Sequence, residues 1–139
     1  MSEKTNGYWN VADSYVRQNN EGKITSLTIC YPKKEDEDCI QLTFSIKDVE
    51  MIRVKLGVSE IAGLSDALNT NKEWKATHTF EKDGAKTTTY INYQNYFINV
   101  ARGNSKIALK LTDNERMSMA LTLRCLHFQI IERRCRKKD

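Results

Sequence analysis

Cationic side chains recur at every second position along several short segments of this sequence. Arg53 and Lys55 alternate with Ile52, Val54 and Leu56, Lys106 and Lys110 with Ile107, Leu109 and Leu111, and Lys75 with Trp74 and Ala76. Tyr90, Tyr93, Tyr96 and Phe97 cluster between the last two groups. Cations attract phosphates, and flat rings stack on unpaired bases for about 1–3 kcal/mol per base. Lysines, threonines and rings on one wet surface would supply both. The same residues also suit a structural part. Lysine and threonine fill solvated strand faces, lysine discourages edge pairing, and a Phe97 or Trp74 packs well inside a core. Both readings stand on pattern alone.

Other chemistry lacks a constellation. The chain has no Gly-rich phosphate loop, no HExxH and no GxSxG. His78 and His127 are far from each other and read as a strand-face and a helix-face residue. Cys30, Cys39, Cys125 and Cys135 form no CxxC pair and are too dispersed for a zinc site, so they read as reduced apolar fillers. No catalytic residue, metal or cofactor is expected, and the chain reads as a binding protein, not an enzyme.

The elements that must position these residues are legible from periodicity. Segment 24–31 alternates as a strand, and Cys39 to Lys47 does so most clearly, with Ile40, Leu42, Phe44 and Ile46 on one side. Residues 51–57 continue the pattern, and Gly7 to Arg17 has the aromatic content of a strand. Ser59 is a plausible N-cap for a helix over 60–69. Strands follow over 74–82, 86–93, 96–102 and 106–111, punctuated by turns at Asp83-Gly84, Gln94-Asn95 and Gly103-Asn104. Thr112-x-x-Glu115 is a capping box that opens a helix over about 113–135. That helix is apolar over more than one stripe, which calls for cover on two sides, the second from the short helix or from the same helix of another copy.

The order is ββββα twice. Residues 52–68 and 107–123 read as two copies of one strand-to-helix unit. Strands grouped before a helix favour an α+β fold, here two antiparallel four-stranded sheets closed by helices. At 139 residues, 40% hydrophobic and 29% charged, the chain fits one domain over 1–139, with pseudo-repeats over about 8–70 and 72–135. No segment approaches the ~20 apolar residues of a membrane span, and the opening MSEKTNGYW lacks a secretory core, so an intracellular protein without a membrane partner is expected. Of the net charge of +4, three units lie in the tail 133–139 with Glu132, which suits either phosphates or the helix macrodipole. Glu35 to Asp38 reads as a solvated acidic turn.

From about Ile24 to Ile131 the chain resembles the Whirly proteins and their relatives in the positive-cofactor-four-like superfamily. VKLGVSEIAGLSDAL is similar to the Whirly strand that enters the first helix, here through Val58-Ser59-Glu60-Ile61. YFINVARGN is similar to the Phe-Phe-Asn-bearing strand of the second half, and KLTDNERMSMALTLRCLHF follows the same strand end, cap and long helix. The Lys-Gly-Lys-Ala-Ala-Leu motif of plant Whirly proteins is absent. The resemblance implies bladed sheets, helices packed between subunits of a homo-oligomer, and extended strands lying across the sheet edges with little sequence preference. Its implied function is single-stranded DNA binding in replication, recombination, repair or transcription. An RNA-binding or annealing factor, or a transcription cofactor of the same fold, is the alternative. Arg53, Lys55, Lys75, Lys106 and Lys110 would then meet phosphates, and Tyr90, Tyr93, Tyr96 and Phe97 would stack on bases.

Overall fold

The structure, a computed structural model, describes residues 8–34 and 37–137. Gly7, Glu35, Asp36 and Lys138, which the expected first strand, acidic turn and basic tail include, lie outside the described residues.

Four strands, β1 (Trp9–Gln18), β2 (Ile24–Pro32), β3 (Cys39–Ile46) and β4 (Glu50–Gly57), form an antiparallel meander and lead into helix α1 (Val58–Thr70). The plan repeats with β5 (Trp74–Lys82), β6 (Ala85–Gln94), β7 (Phe97–Arg102), β8 (Ser105–Lys110) and helix α2 (Asp113–Lys137). The architecture is the α+β arrangement of two four-stranded antiparallel sheets and two helices.

Alternation sorts each strand into a buried and a wet row, because directly paired antiparallel residues share a face. In the first sheet Tyr15, Leu27, Phe44 and Ile52 lie side by side across all four strands and are buried. In the second, Ala76, Ile91, Val100 and Ile107 do the same, the last three fully inside. Burying each large aliphatic or aromatic side chain contributes about 1.5–3 kcal/mol, so this patterning holds the register. Both sheets and both helices feed one continuous core, and the helices pack chiefly against each other rather than each sealing its own sheet. Small residues of α1 permit close approach by its neighbours. Ser65 donates its hydroxyl to the Ala120 carbonyl at 3.0 Å between the helices, and Gly63 lets Trp74 approach so closely that a Cβ would stand 2.7 Å from its Nε1.

The caps decide where the helices start. Thr112 and Glu115 form the expected reciprocal box, with Glu115 N–H donating to Thr112 Oγ1 at 3.1 Å and Thr112 N–H to Glu115 Oε1 at 2.9 Å. The first helix differs from expectation: Gly57, not Ser59, precedes it, and Glu60 reaches back to accept from the Gly57 N–H at 3.2 Å. Buried Arg116 ties the two halves together. It donates to the Leu68 and Asn69 carbonyls at the end of α1, pairs with Asp113 and lies over the Tyr96 ring. Unpaired carbonyls at a helix end are thereby satisfied by a charged donor.

Candidate nucleic-acid interface

The wet face of the second sheet carries three rows. Thr77, Tyr90, Ala101 and Lys106 run across it, then Lys75, Asn92, Asn99 and Ala108, then Gln94, Phe97 and Lys110. Tyr90 is 57% exposed and Phe97 40%. The Lys110 ammonium lies 5.8 Å from the Phe97 ring centroid, a cation–π distance. Five of the nine expected residues, Lys75, Tyr90, Phe97, Lys106 and Lys110, therefore share this surface. A cation beside an open ring can hold a phosphate while a base stacks.

The wet face of the first sheet is hydroxyl-rich. Ser14, Thr28, Thr43 and Arg53 form one row and Val11, Cys30, Gln41 and Lys55 another. Its hydroxyls largely satisfy one another, Ser26 with Ser45 at 2.8 Å and Ser14 with Thr28 at 3.3 Å. A β-bulge between Val11 and Asp13 turns Trp9 onto this face, where the Lys55 ammonium lies 5.8 Å from its ring centroid. A cleft of about 370 Å³ continues from Gln41, Arg53 and Lys55 to His78, Phe80 and Arg102 of the second sheet. Arg53 and Lys55 thus sit on a different face from Lys106, and the nine residues do not make one patch.

Two expected rings are elsewhere. Tyr93 is wholly buried: it lies in the inner row beside Trp74 and Ile98, its phenol donates to Asn71 Oδ1 at 2.6 Å, and burial raises its pKa. Its ring faces are not available to a base. Tyr96 is a turn residue, not the start of a strand. The β6–β7 turn is Asn95-Tyr96, both at positive φ (50° and 74°), so β7 begins one residue later than the alternation implied. Tyr96 pays for that uncommon conformation with bonds, from its phenol to Asp113 at 3.0 Å and from its N–H to the Tyr93 oxygen at 3.2 Å. Arg102 points inward: its Nε donates to Thr89 Oγ1 and its Nη2 to the Arg53 carbonyl, both at 2.7 Å, and it lies over Phe80.

The acidic turn is more than a solvated loop. Arg134 donates to Asp38 at 2.7 Å and Arg133 to the Glu37 carbonyl at 3.0 Å, so the described part of the turn holds the end of α2. Hydrogen bonding from Arg134 holds the Asp38 carboxyl below the usual carboxylate range. Part of the basic tail is therefore engaged within the chain. Among the sulfur groups, burial pushes the Cys30 thiol up and, with the Glu37 carboxylate, the Cys39 thiol to about 11, so both stay protonated. All four cysteines are free, but Cys125 and Cys135 are exposed, not apolar fillers. His78 bonds Glu60 at 2.7 Å, which also caps α1. No group of three or more potential metal ligands occurs among the described residues, and no helix there is long and apolar enough to cross a membrane.

Of the residues on these faces, Trp9 is the one that alternation in its own segment does not point to. The alternation of β6 and β7 places Asn92 and Asn99 outward and was a usable signal; the bulge that turns Trp9 leaves no trace in periodicity.

No family model and no curated protein matches the sequence. The fold is nevertheless similar to a solved one, that of the plant transcriptional regulator PBF-2, with a TM-score of 0.68 at 13% identity over 91% of this chain and 85% of that one. The Whirly-like fold that the sequence resemblance implied is the fold this chain adopts.

Proposed function

We infer that this protein binds single-stranded DNA with little sequence preference and acts as a binding protein, not an enzyme, where strands are unpaired during replication, recombination, repair or transcription. The observation that carries this reading is the second sheet's wet face, where Lys75, Lys106 and Lys110 surround the open rings of Tyr90 and Phe97. The first sheet offers Arg53, Lys55 and Trp9 in a parallel arrangement. Phosphate attraction and ring stacking act on any base, which accounts for weak sequence preference. The shared fold with a transcriptional regulator supports the same reading.

The functional unit is a homo-oligomer assembled through α2. Met117, Leu121 and Phe128 (37%, 61% and 64% exposed) lie on the side of that helix opposite buried Met119, Leu123 and Leu126. An exposed apolar stripe of this kind marks an interaction surface. The free thiols fit an intracellular setting.

Fluorescence anisotropy with oligo-dT, oligo-U and duplex DNA at several salt concentrations tests the function. Oligo-dT should bind most tightly, with a log–log salt slope no steeper than about −3.5 for five phosphate-facing cations. Preference for oligo-U would make the chain an RNA-binding or annealing factor, and preference for duplex would overturn both single-strand versions.

A further inference from the structure

The two sheets differ at the centres of their wet faces. The 55-residue repeat and the strand registers make the row Ser14, Thr28, Thr43, Arg53 the counterpart of Lys75, Asn92, Asn99, Ala108. Where the first sheet has hydroxyls and an arginine, the second has two amides and an alanine. With Ala101 in the adjacent row, that alanine floors a depression of about 320 Å³ walled by Tyr90, Lys106 and the amides. Asn99 Nδ2 donates to Asn92 Oδ1 at 3.1 Å, and among the described residues neither of these half-buried amides makes another side-chain hydrogen bond. An amide pair joined once keeps an acceptor on one partner and a donor on the other, whichever way the two are turned.

We propose that this depression seats one unpaired nucleobase, and that Asn92 and Asn99 read its Watson–Crick edge. The proposal rests on the single-strand reading above and gives that reading a source for its selectivity. Every base offers an adjacent donor and acceptor on that edge, so a rotatable amide pair demands a base without choosing which. In a duplex the edge is already engaged, so a paired base gains nothing there. Tyr90 supplies the stacking wall, and Lys106 stands where the adjoining phosphate would pass. The first sheet carries Thr28 and Thr43 where the second carries the amide pair, and Arg53 in place of Ala108. Selectivity for unpaired strands therefore resides in the second sheet.

The test compares oligo-dT, an abasic oligomer of equal length and a dA·dT duplex by anisotropy at fixed low salt. The unaltered chain should favour oligo-dT over each of the others by at least about tenfold. Asn92→Leu with Asn99→Leu should shrink both ratios below about threefold and leave the salt slope unchanged. Ala108→Arg, at an exposed position, should shrink the ratios equally and steepen the slope. Circular dichroism checks that the amide variant folds, and if it does not, the Ala108→Arg result decides alone. Ratios that survive in a folded variant overturn the proposal. Failure of the unaltered chain to bind oligo-dT at all is a different result and overturns the underlying function instead.

Discussion

Lys110 and Phe97 sit directly opposite each other on β8 and β7, with the lysine ammonium 5.8 Å from the ring centroid. Lys55, the counterpart of Lys110 in the first repeat, stands at the same 5.8 Å from Trp9, a ring supplied by a different strand. A cation held over a ring keeps its outer hemisphere free for a phosphate while the ring's exposed edge and face remain open. Charge reversal on this face should therefore be severe. Lys106→Glu with Lys110→Glu is expected to weaken oligo-dT binding at least about tenfold at low salt, because two phosphate contacts become repulsive. Both side chains are exposed, so the thermal midpoint should stay within a degree or two of about its original value. Unchanged affinity would remove the surface from consideration.

Tyr90 and Tyr93 are three residues apart on one strand and face opposite ways. Tyr90→Ala should weaken strand binding by about 1–3 kcal/mol and leave stability alone. Tyr93→Phe should behave the other way, leaving binding alone and lowering unfolding free energy by about 1 kcal/mol through loss of the bond to Asn71. Anisotropy and urea melts on the two variants separate the roles. The reverse pattern would place the stacking chemistry inside the core.

Helix α2 provides the assembly test. Leu121→Glu with Phe128→Glu introduces charge onto its exposed apolar side without touching the buried row. Light scattering at micromolar concentration should show an oligomer for the unaltered chain and a monomer for the variant. A monomeric unaltered chain contradicts the assembly.

Acid should loosen the clasp between the acidic turn and α2. The Asp38 carboxyl is held below its ordinary value by Arg134 and Arg133, so its contribution is fully present above about pH 4 and is lost as pH falls through the lowered folded-state value. Asp38→Asn should therefore lower the unfolding midpoint at pH 7 and make little difference near about pH 2. An equal effect at both pH values would mean the carboxylate charge plays no part.

The extent to which the chain could be read in advance varies by residue. Ile40, Leu42, Phe44 and Ile46 alternate without interruption, so β3 and its buried side follow from period two alone. Lys106 and Lys110 share that clarity, and both point outward. Alternation carries β7 back to Tyr96, but Asn95-Tyr96 rather than Gln94-Asn95 forms the turn, and a tyrosine at positive φ is held there by Tyr93, Asp113 and Arg116, none of them neighbours in the strand. Arg102 spans to the Arg53 carbonyl on the other sheet, a contact that nothing in its own strand encodes.

Local sequence determined the eight strands, the two helices, the capping box at Thr112 and the doubled ββββα order, since hydrophobic period and turn chemistry act over a few residues. Tertiary structure decided what each outward position meets. The bulge that turns Trp9 toward Lys55, the pairing of Asn92 with Asn99, and the bridging by Arg116 and Arg134 all depend on segments distant in the chain. Such contacts form only once register and sheet packing are set, because a long side chain is committed by its partners and not by its own neighbours in sequence.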